Sequence, residues 1–277
     1  MFLAEFHAPD GLRLYYYGSQ GSAAAPRARV ILVHGLGDHC RSLPYRNLAN
    51  FLGTHQWAVC GFDLRGHGQS EGLRMFANTW EELRNDLHAF VDLVQRAAPG
   101  GPLFLIGLSL GGLLALDYAL HHPDGLGGVV AAAPAVDASG VPRLIRWVMP
   151  LLSRIAPRAS IDPGLDLAHI SRDGASANEY TRDALFQIKT TPRLAAETLK
   201  AMAATGAQAS HLRLPVLILH GEADSIVPPA GSAAFYEQMP GPDKERLTYP
   251  GAYHNLFIEL NRNQVFADIV RWLERCL

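Results

Sequence analysis

Pro102-Leu103-Phe104-Leu105-Ile106 is a short apolar run. It leads through Gly107-Leu108-Ser109-Leu110-Gly111 into Gly112-Leu113-Leu114-Ala115-Leu116-Asp117-Tyr118-Ala119-Leu120, which reads as helix. A strand thus turns sharply into a helix at a serine. A G-x-S-x-G turn holds its serine in a strained backbone conformation, so the positions two before and two after it must be nearly bare of side chain. Gly107 and Gly111 meet that demand. The serine oxygen then stands above the sheet at a helix N-terminus, where free N–H groups and the helix dipole favour developing negative charge. Five residues alone do not decide the matter, because a glycine-rich strand-to-helix turn can also be simple packing.

Working outward, the same alternation recurs on both sides. Upstream, Phe2–His7 and Leu12–Tyr17 flank the turn signal Pro9-Asp10-Gly11 and predict a hairpin, and Ser19–Pro26 reads as a loop. Arg29–Val33 is a continuous apolar strand, Leu43–Phe51 a helix and Ala58–Phe62 a further strand. Thr79–Ala98 carries Leu83, Leu87, Phe90, Val91 and Val94 near helical spacing, with Thr79 as the expected N-cap. Downstream, Gly128–Ala132 and Pro215–Leu219 are buried strands, Arg246–Tyr249 is the last strand and Gln264–Cys276 the closing amphipathic helix. Such alternation predicts an α/β protein with a mostly parallel sheet flanked by helices.

Residues 135–210 interrupt the pattern. Val141–Ile155 is apolar on much of its circumference, and helical patches are expected at Asp183–Ile188 and Pro192–Ala204. An insertion longer than ordinary α/β connections predicts a helical cap over a core formed by 1–134 and 211–277. A short helix this apolar covers a pocket, touches a membrane surface transiently, or adds plain core.

Composition narrows the function classes. At 277 residues with 48% hydrophobic content the chain can bury a sizeable core, and a net charge of −2 gives no electrostatic reason to expect nucleic acid. Neither an 18-residue apolar run nor a secretory signal pattern is present, which predicts a cytoplasmic protein. The three cysteines, Cys40, Cys60 and Cys276, lack C-x-x-C spacing and predict reduced thiols rather than a disulfide framework or zinc site.

A serine hydroxyl is a poor nucleophile at neutral pH, and needs a base to take its proton and an acid residue to orient that base. On this architecture the expected chain order is serine, acid, histidine, each just beyond a strand. Ser109, Asp224 and His254 follow that order. Glu222 competes with Asp224, which lies farther beyond the strand end, where the loop can turn toward the histidine. His220 competes with His254, which lies between the last strand and the last helix after Pro250-Gly251. An oxyanion hole needs two backbone N–H groups, and by position Leu110 and Leu36 supply them. His34 and His67 read as structural, and Asp63 with Arg65 as an ion pair holding loops together. No metal or organic cofactor is called for by this chemistry.

Taken together, Val33-His34-Gly35-Leu36-Gly37-Asp38-His39, Asp63-x-Arg65-Gly66-His67-Gly68-Gln69-Ser70-Glu71-Gly72, the serine elbow, His220-Gly221-x-x-Asp224 and Gly251-Ala252-Tyr253-His254 resemble the monoacylglycerol lipase and lysophospholipase branch of the α/β-hydrolases. The resemblance spans nearly the whole chain. It implies the α/β-hydrolase fold, a helical cap over an acyl tunnel, and hydrolysis of monoacylglycerols or related small-molecule lipid esters through an acyl-enzyme on Ser109. Mapped by motif, the triad falls on Ser109, Asp224 and His254 and the oxyanion donors on Leu36 and Leu110. Tyr180, in Asn178-Glu179-Tyr180, resembles a tyrosine that meets the glycerol head group. Two positions depart from the pattern: relatives often carry a histidine before the serine and another three residues after the catalytic one, where this chain has Leu108 and Phe257. The second departure predicts Phe257 at the alcohol end of the site and a less polar alcohol half. Lysophospholipid hydrolysis and broad carboxylesterase activity are alternatives within the same chemistry, as are thioesterase, peptidase and acyltransferase activities. A ligand-binding protein that keeps a hydrolase-like pocket is an alternative outside it.

Overall fold

Strands form where the apolar runs predict them. In the computed structural model, which describes residues 2–18, 27–98 and 100–277, they are β1 (Phe2–His7), β2 (Arg13–Gly18), β3 (Arg29–Val33), β4 (Ala58–Phe62), β5 (Leu103–Leu108), β6 (Leu126–Ala132), β7 (Val216–Gly221) and β8 (Lys244–Tyr249). The loop expected at Ser19–Pro26 lies outside the described residues. The strands join in one sheet in the order β1-β2-β4-β3-β5-β6-β7-β8. β1 and β2 form the antiparallel hairpin, β2 meets β4 antiparallel, and every later pairing is parallel.

Helices cover both faces, and the two-residue period of the strands decides which side chain meets which helix. Ile31 and Val33 of β3, with Leu103 and Leu105 of β5, face a core shared with α2 (Trp80–Ala97) and α3 (Leu110–His121). Val30, Leu32, Phe104 and Ile106 face the opposite core, built with α1 (Leu43–Thr54) and the last helix, α8 (Arg262–Arg275).

Between β6 and β7 the chain forms α4 (Arg143–Ile155), α5 (Gly174–Thr181) and α6 (Pro192–Ala207), and α7 (Pro229–Gln238) follows β7. The helix expected at Asp183–Ile188 does not form. Asp183 Oδ1 accepts the Leu185 amide at 2.9 Å in a local turn, the Gln187 amide donates to Gly37 O at 2.8 Å, and Thr190 pairs with Ile161 in an isolated antiparallel bridge. The extended backbone serves the loop after β3 instead of itself. Thr79 does sit at the N-cap of α2, but its side chain makes no cap; the Trp80 amide donates to the buried Glu197 carboxylate of α6 at 3.3 Å. α4 buries only Met149 and Ser153, leaving Leu144, Trp147, Leu151 and Ile155 exposed along one side.

Candidate active site

The elbow between β5 and α3 has the conformation its glycines allow. Ser109 has φ 58° and ψ −119°, a left-handed backbone that costs a non-glycine residue about 1–3 kcal/mol and persists where the surroundings fix it. The surroundings are tight: a Cβ at Gly107 would lie 2.2 Å from Gly111 O, and one at Gly111 2.1 Å from Val33 O. The serine amide donates to Ala132 O at 2.9 Å, tying the elbow to the end of β6.

The expected acid and base come from beyond the ends of β7 and β8. A Cβ at Gly221 would collide with Tyr253 O at 2.3 Å, so the bare residue lets the loop after β8 lie against the loop after β7, where Ala223 N–H donates to Ala252 O at 3.0 Å. That contact brings His254 Nδ1 to 2.7 Å from Asp224 Oδ2. Asp224 Oδ1 accepts the Ile226 and Val227 amides at 2.9 Å each, and His220 Nε2 lies 3.2 Å from Oδ2. Burial pushes the Asp224 carboxyl up, but the His254 charge and the hydrogen bonds from His220, His254 and the Val227 amide outweigh it, holding the group well below the usual carboxylate range. Asp224 is therefore ionised at neutral pH. Glu222, the rival acid, turns outward and accepts the Thr248 hydroxyl at 2.8 Å.

The loop bearing His254 is fastened to the segment between β6 and β7. Buried Glu259 accepts the Tyr253 amide at 2.9 Å, the Arg172 amide at 3.0 Å and Arg172 Nε at 3.0 Å, while the Asn255 amide donates to Ile170 O at 2.8 Å. Sequence reasoning missed Glu259 and Arg172. Their 87-residue separation carries no local signal.

Ser109, His254, Leu36 and Leu110 line one cavity of about 170 Å³. Leu36 sits in the turn closed by Asp38 N–H to Gly35 O, with Gly37 at φ +73°. Among the described residues neither the Leu36 nor the Leu110 amide has a protein acceptor, so both N–H groups are available to an oxygen bound beside the serine. No hydrogen bond joins the Ser109 hydroxyl to His254 among the described residues; such contacts often tighten only when substrate is bound. The remaining wall is largely apolar and includes Leu108, Val141, Leu167, Ile188 and Met202.

Tyr180 lines the cavity and is buried, its hydroxyl donating to Asp38 Oδ2 at 3.0 Å. Burial pushes Asp38 up to about 6. Asp38 was not singled out in the sequence, although it is the one carboxylate in the loop after a core strand. Phe257 is not brought to the cavity. Its fully buried ring packs between Tyr45 and Phe266 in the core under α1 and α8, so the expectation of a substrate contact there is corrected: apolar packing claims the side chain.

Two further buried histidines are structural. His34 Nε2 accepts the Leu64 amide at 2.9 Å, His67 Nδ1 donates to Arg65 O at 2.9 Å, and burial pushes both rings down to about 3. The expected Asp63–Arg65 ion pair is also corrected. Arg65 makes a bidentate pair with Asp86 of α2 at 2.6 and 2.7 Å, while Asp63 accepts the Cys40 and Gln69 amides at 2.8 Å each. Neighbours in a loop face apart, and the partner comes from a packed helix.

Comparison with known proteins adds to this geometry. The family described as "Serine aminopeptidase, S33" matches residues 24–261. A monoacylglycerol lipase of Mycolicibacterium smegmatis is 30% identical over 250 residues, covering 90% of this chain and 88% of the relative. The crystal structure of a monoacylglycerol lipase from Paleococcus ferrophilus superposes with a TM-score of 0.84 at 31% identity, covering 100% of this chain and 99% of that one. A soluble variant of monoglyceride lipase from Saccharomyces cerevisiae, in complex with a substrate analogue, superposes with a TM-score of 0.87 at 29% identity, covering 99% and 94%.

Proposed function

The chain belongs to the serine aminopeptidase S33 family of hydrolases, and from that membership we propose that it cleaves carboxylic esters of single-chain lipids, converting monoacylglycerol to fatty acid and glycerol. The observation that carries the reading is a single cavity onto which a strained serine, a carboxylate-bound histidine and two free amides open, while much of the rest of its wall is apolar. Apolar walls suit an acyl chain, each buried methylene contributing about 0.8 kcal/mol.

In this reading Ser109 is the nucleophile and His254 the base. His254 Nε2 takes the hydroxyl proton, the serine oxygen attacks the ester carbonyl, and the oxyanion accepts hydrogen bonds from the Leu36 and Leu110 amides. His254 then protonates the leaving alcohol, and water, deprotonated by the same ring, releases the fatty acid. Asp224 stays ionised throughout and fixes the imidazole so that Nδ1 carries the proton. We read residues 135–210 as the cap: Val141, Leu167, Tyr180, Ile188 and Met202 of this segment line the cavity.

The cap also supports contact with a membrane surface. Trp147 is 83% exposed and Leu144 72%, one turn apart on α4, with Leu151 and Ile155 continuing the stripe. Arg143, Arg146, Arg154 and Arg158 accompany it, and no acidic residue occurs between Asp137 and Asp162. Among the described residues no helix is long and apolar enough to cross a membrane.

Fatty-acid release from matched monoacylglycerols, lysophospholipids, alkyl esters and diacylglycerols, with Ser109→Ala as blank, tests the proposal. Preference for monoacylglycerols is the expected result. Equal or better turnover of alkyl esters would leave a broad carboxylesterase, and turnover that survives Ser109→Ala would remove the mechanism.

A further inference from the structure

Met202 of α6 stands between two cavities. It lines the one that holds Ser109, and it also lines a second, of about 420 Å³, between α6 and α7. Its neighbours divide between the two. Ala135 lines the first and Val136 the second; along α6, Thr198 lines the first, while Ala203, Gly206 and Ala207 line the second. Among the described residues Met202 alone is common to both walls, and it is partly buried, packed against the core shared with α2 and α3. Thr198 and Met202 lie one turn apart and share a face of α6. The Thr198 hydroxyl is spent on Leu194 O at 2.8 Å, so what that face has left for a ligand is a methyl group and a thioether. The second cavity has small side chains from α6 and α7, with Asp137, Arg146 and Gln238 as its polar lining.

We propose that Met202 is a specificity-determining residue that ends the acyl site: by closing the way from the catalytic cavity into the cavity between α6 and α7, it sets the longest acyl chain the enzyme accepts. The inference rests on the lipase reading above and narrows its substrate class by chain length. An acyl chain whose carbonyl oxygen lies at Leu36 and Leu110 gains for each methylene that finds apolar wall, and gains nothing once a side chain blocks it. Along α6 that block is one side chain thick. A methionine suits the place, because its unbranched, flexible thioether fills an irregular gap and brings no polar group that needs a partner. Cut back to its Cβ, the side chain no longer divides the two cavities. Carbons beyond the present end then lie against Ala203, Gly206 and Ala207.

The test measures kcat/KM for saturated monoacylglycerols from octanoyl to stearoyl, beside the ethyl esters of the same acids. The proteins are wild type, Met202→Ala, Met202→Phe, and Met202→Ala combined with Ala203→Phe. Wild type should pass through an optimum short of stearoyl. Met202→Ala should move that optimum to longer chains and raise the ratio of stearoyl turnover to turnover at the wild-type optimum by about tenfold or more, the worth of two methylenes gaining wall. Met202→Phe should move it to shorter chains. Ala203 is exposed, so phenylalanine there refills the second cavity from outside and should cancel the gain of Met202→Ala. Ratios within one variant are unaffected by loss of folded protein, and the phenylalanine variant decides the matter if the alanine variant does not fold. A wild-type rise that continues to stearoyl, an optimum that stays put in either folded variant, or a gain that survives Ala203→Phe overturns the assignment of Met202. A wild-type preference for ethyl esters overturns the lipase reading itself, whereas a shift of optimum on both ester series keeps Met202 as the end of the acyl site.

Discussion

Lowering the pH from 7 to 5 should destabilise the protein through two buried rings, and removing one of them should halve that part of the loss. His34 Nε2 accepts the Leu64 amide, so protonation there breaks a buried hydrogen bond. His67 Nε2 faces no acceptor, and its ring lies 5.2 Å from that of His34, so a proton there is buried beside another ring and unpaired. Burial first, and the neighbouring His34 next, push His67 to about 3; burial dominates for His34 at about 3 as well. The unfolded chain titrates near 6.5. Between 3 and 6.5 the unfolded state therefore binds more protons than the folded one, and stability falls as the pH falls through that window. From pH 7 to pH 5 each ring contributes a loss of about 2 kcal/mol, roughly 4 for the pair, against a total stability on the order of 5–15 kcal/mol. For 277 residues this lowers Tm by about 7 °C. In His67→Asn the side-chain NH₂ can still donate to Arg65 O but does not titrate. Urea unfolding followed by circular dichroism at both pH values should show the variant losing about 2 kcal/mol less than wild type between them. Equal losses would refute the claim that His67 is held neutral by its surroundings.

Ser109→Gly should abolish ester turnover while raising stability by about 1 kcal/mol, because glycine takes the φ of 58° without strain; a lower unfolding midpoint would show that the elbow is not strained. Glu259→Gln places an amide NH₂ among N–H donors from Tyr253, Arg172 and Leu260, so the loop carrying His254 should loosen. The expected outcome is a fall in kcat of at least about tenfold with a loss of about 3 kcal/mol in unfolding free energy, and wild-type values of both would dismiss the anchor. Replacing Trp147 and Leu151 together by serine should weaken vesicle co-sedimentation by about tenfold or more while turnover of a dissolved short-chain ester holds. Undiminished vesicle binding would remove α4 as the contact.

Burial was legible in the sequence wherever a regular element repeats it, and the partner of a buried group was not. The apolar runs of β3, β5 and β7 and the spacing of Leu83, Leu87 and Phe90 each report a side chain's face, which is why the sheet and its helices follow from periodicity. Strand ends plus chain order were enough to single out Ser109, Asp224 and His254, since a parallel sheet delivers all its C-terminal ends to one edge. The failures share a cause. Leu185 and Ile188 are spaced as if on a helix, yet Phe186 and Ile188 are apolar because they line the cavity, and Asp183 begins a turn instead. Arg65 needs a carboxylate, but the one it finds is Asp86 on α2, not Asp63 in its own loop. Phe257 and Asn255 make the point most sharply. Both are buried within three residues of His254, and counting along the chain favoured Phe257, whose ring belongs to the core. The usable signal was residue type: a phenylalanine is content among Tyr45 and Phe266, whereas a fully buried asparagine must find partners for both ends of its amide. One of those ends, Oδ1, finds the Phe257 amide, so the asparagine holds the turn in which Phe257 is buried.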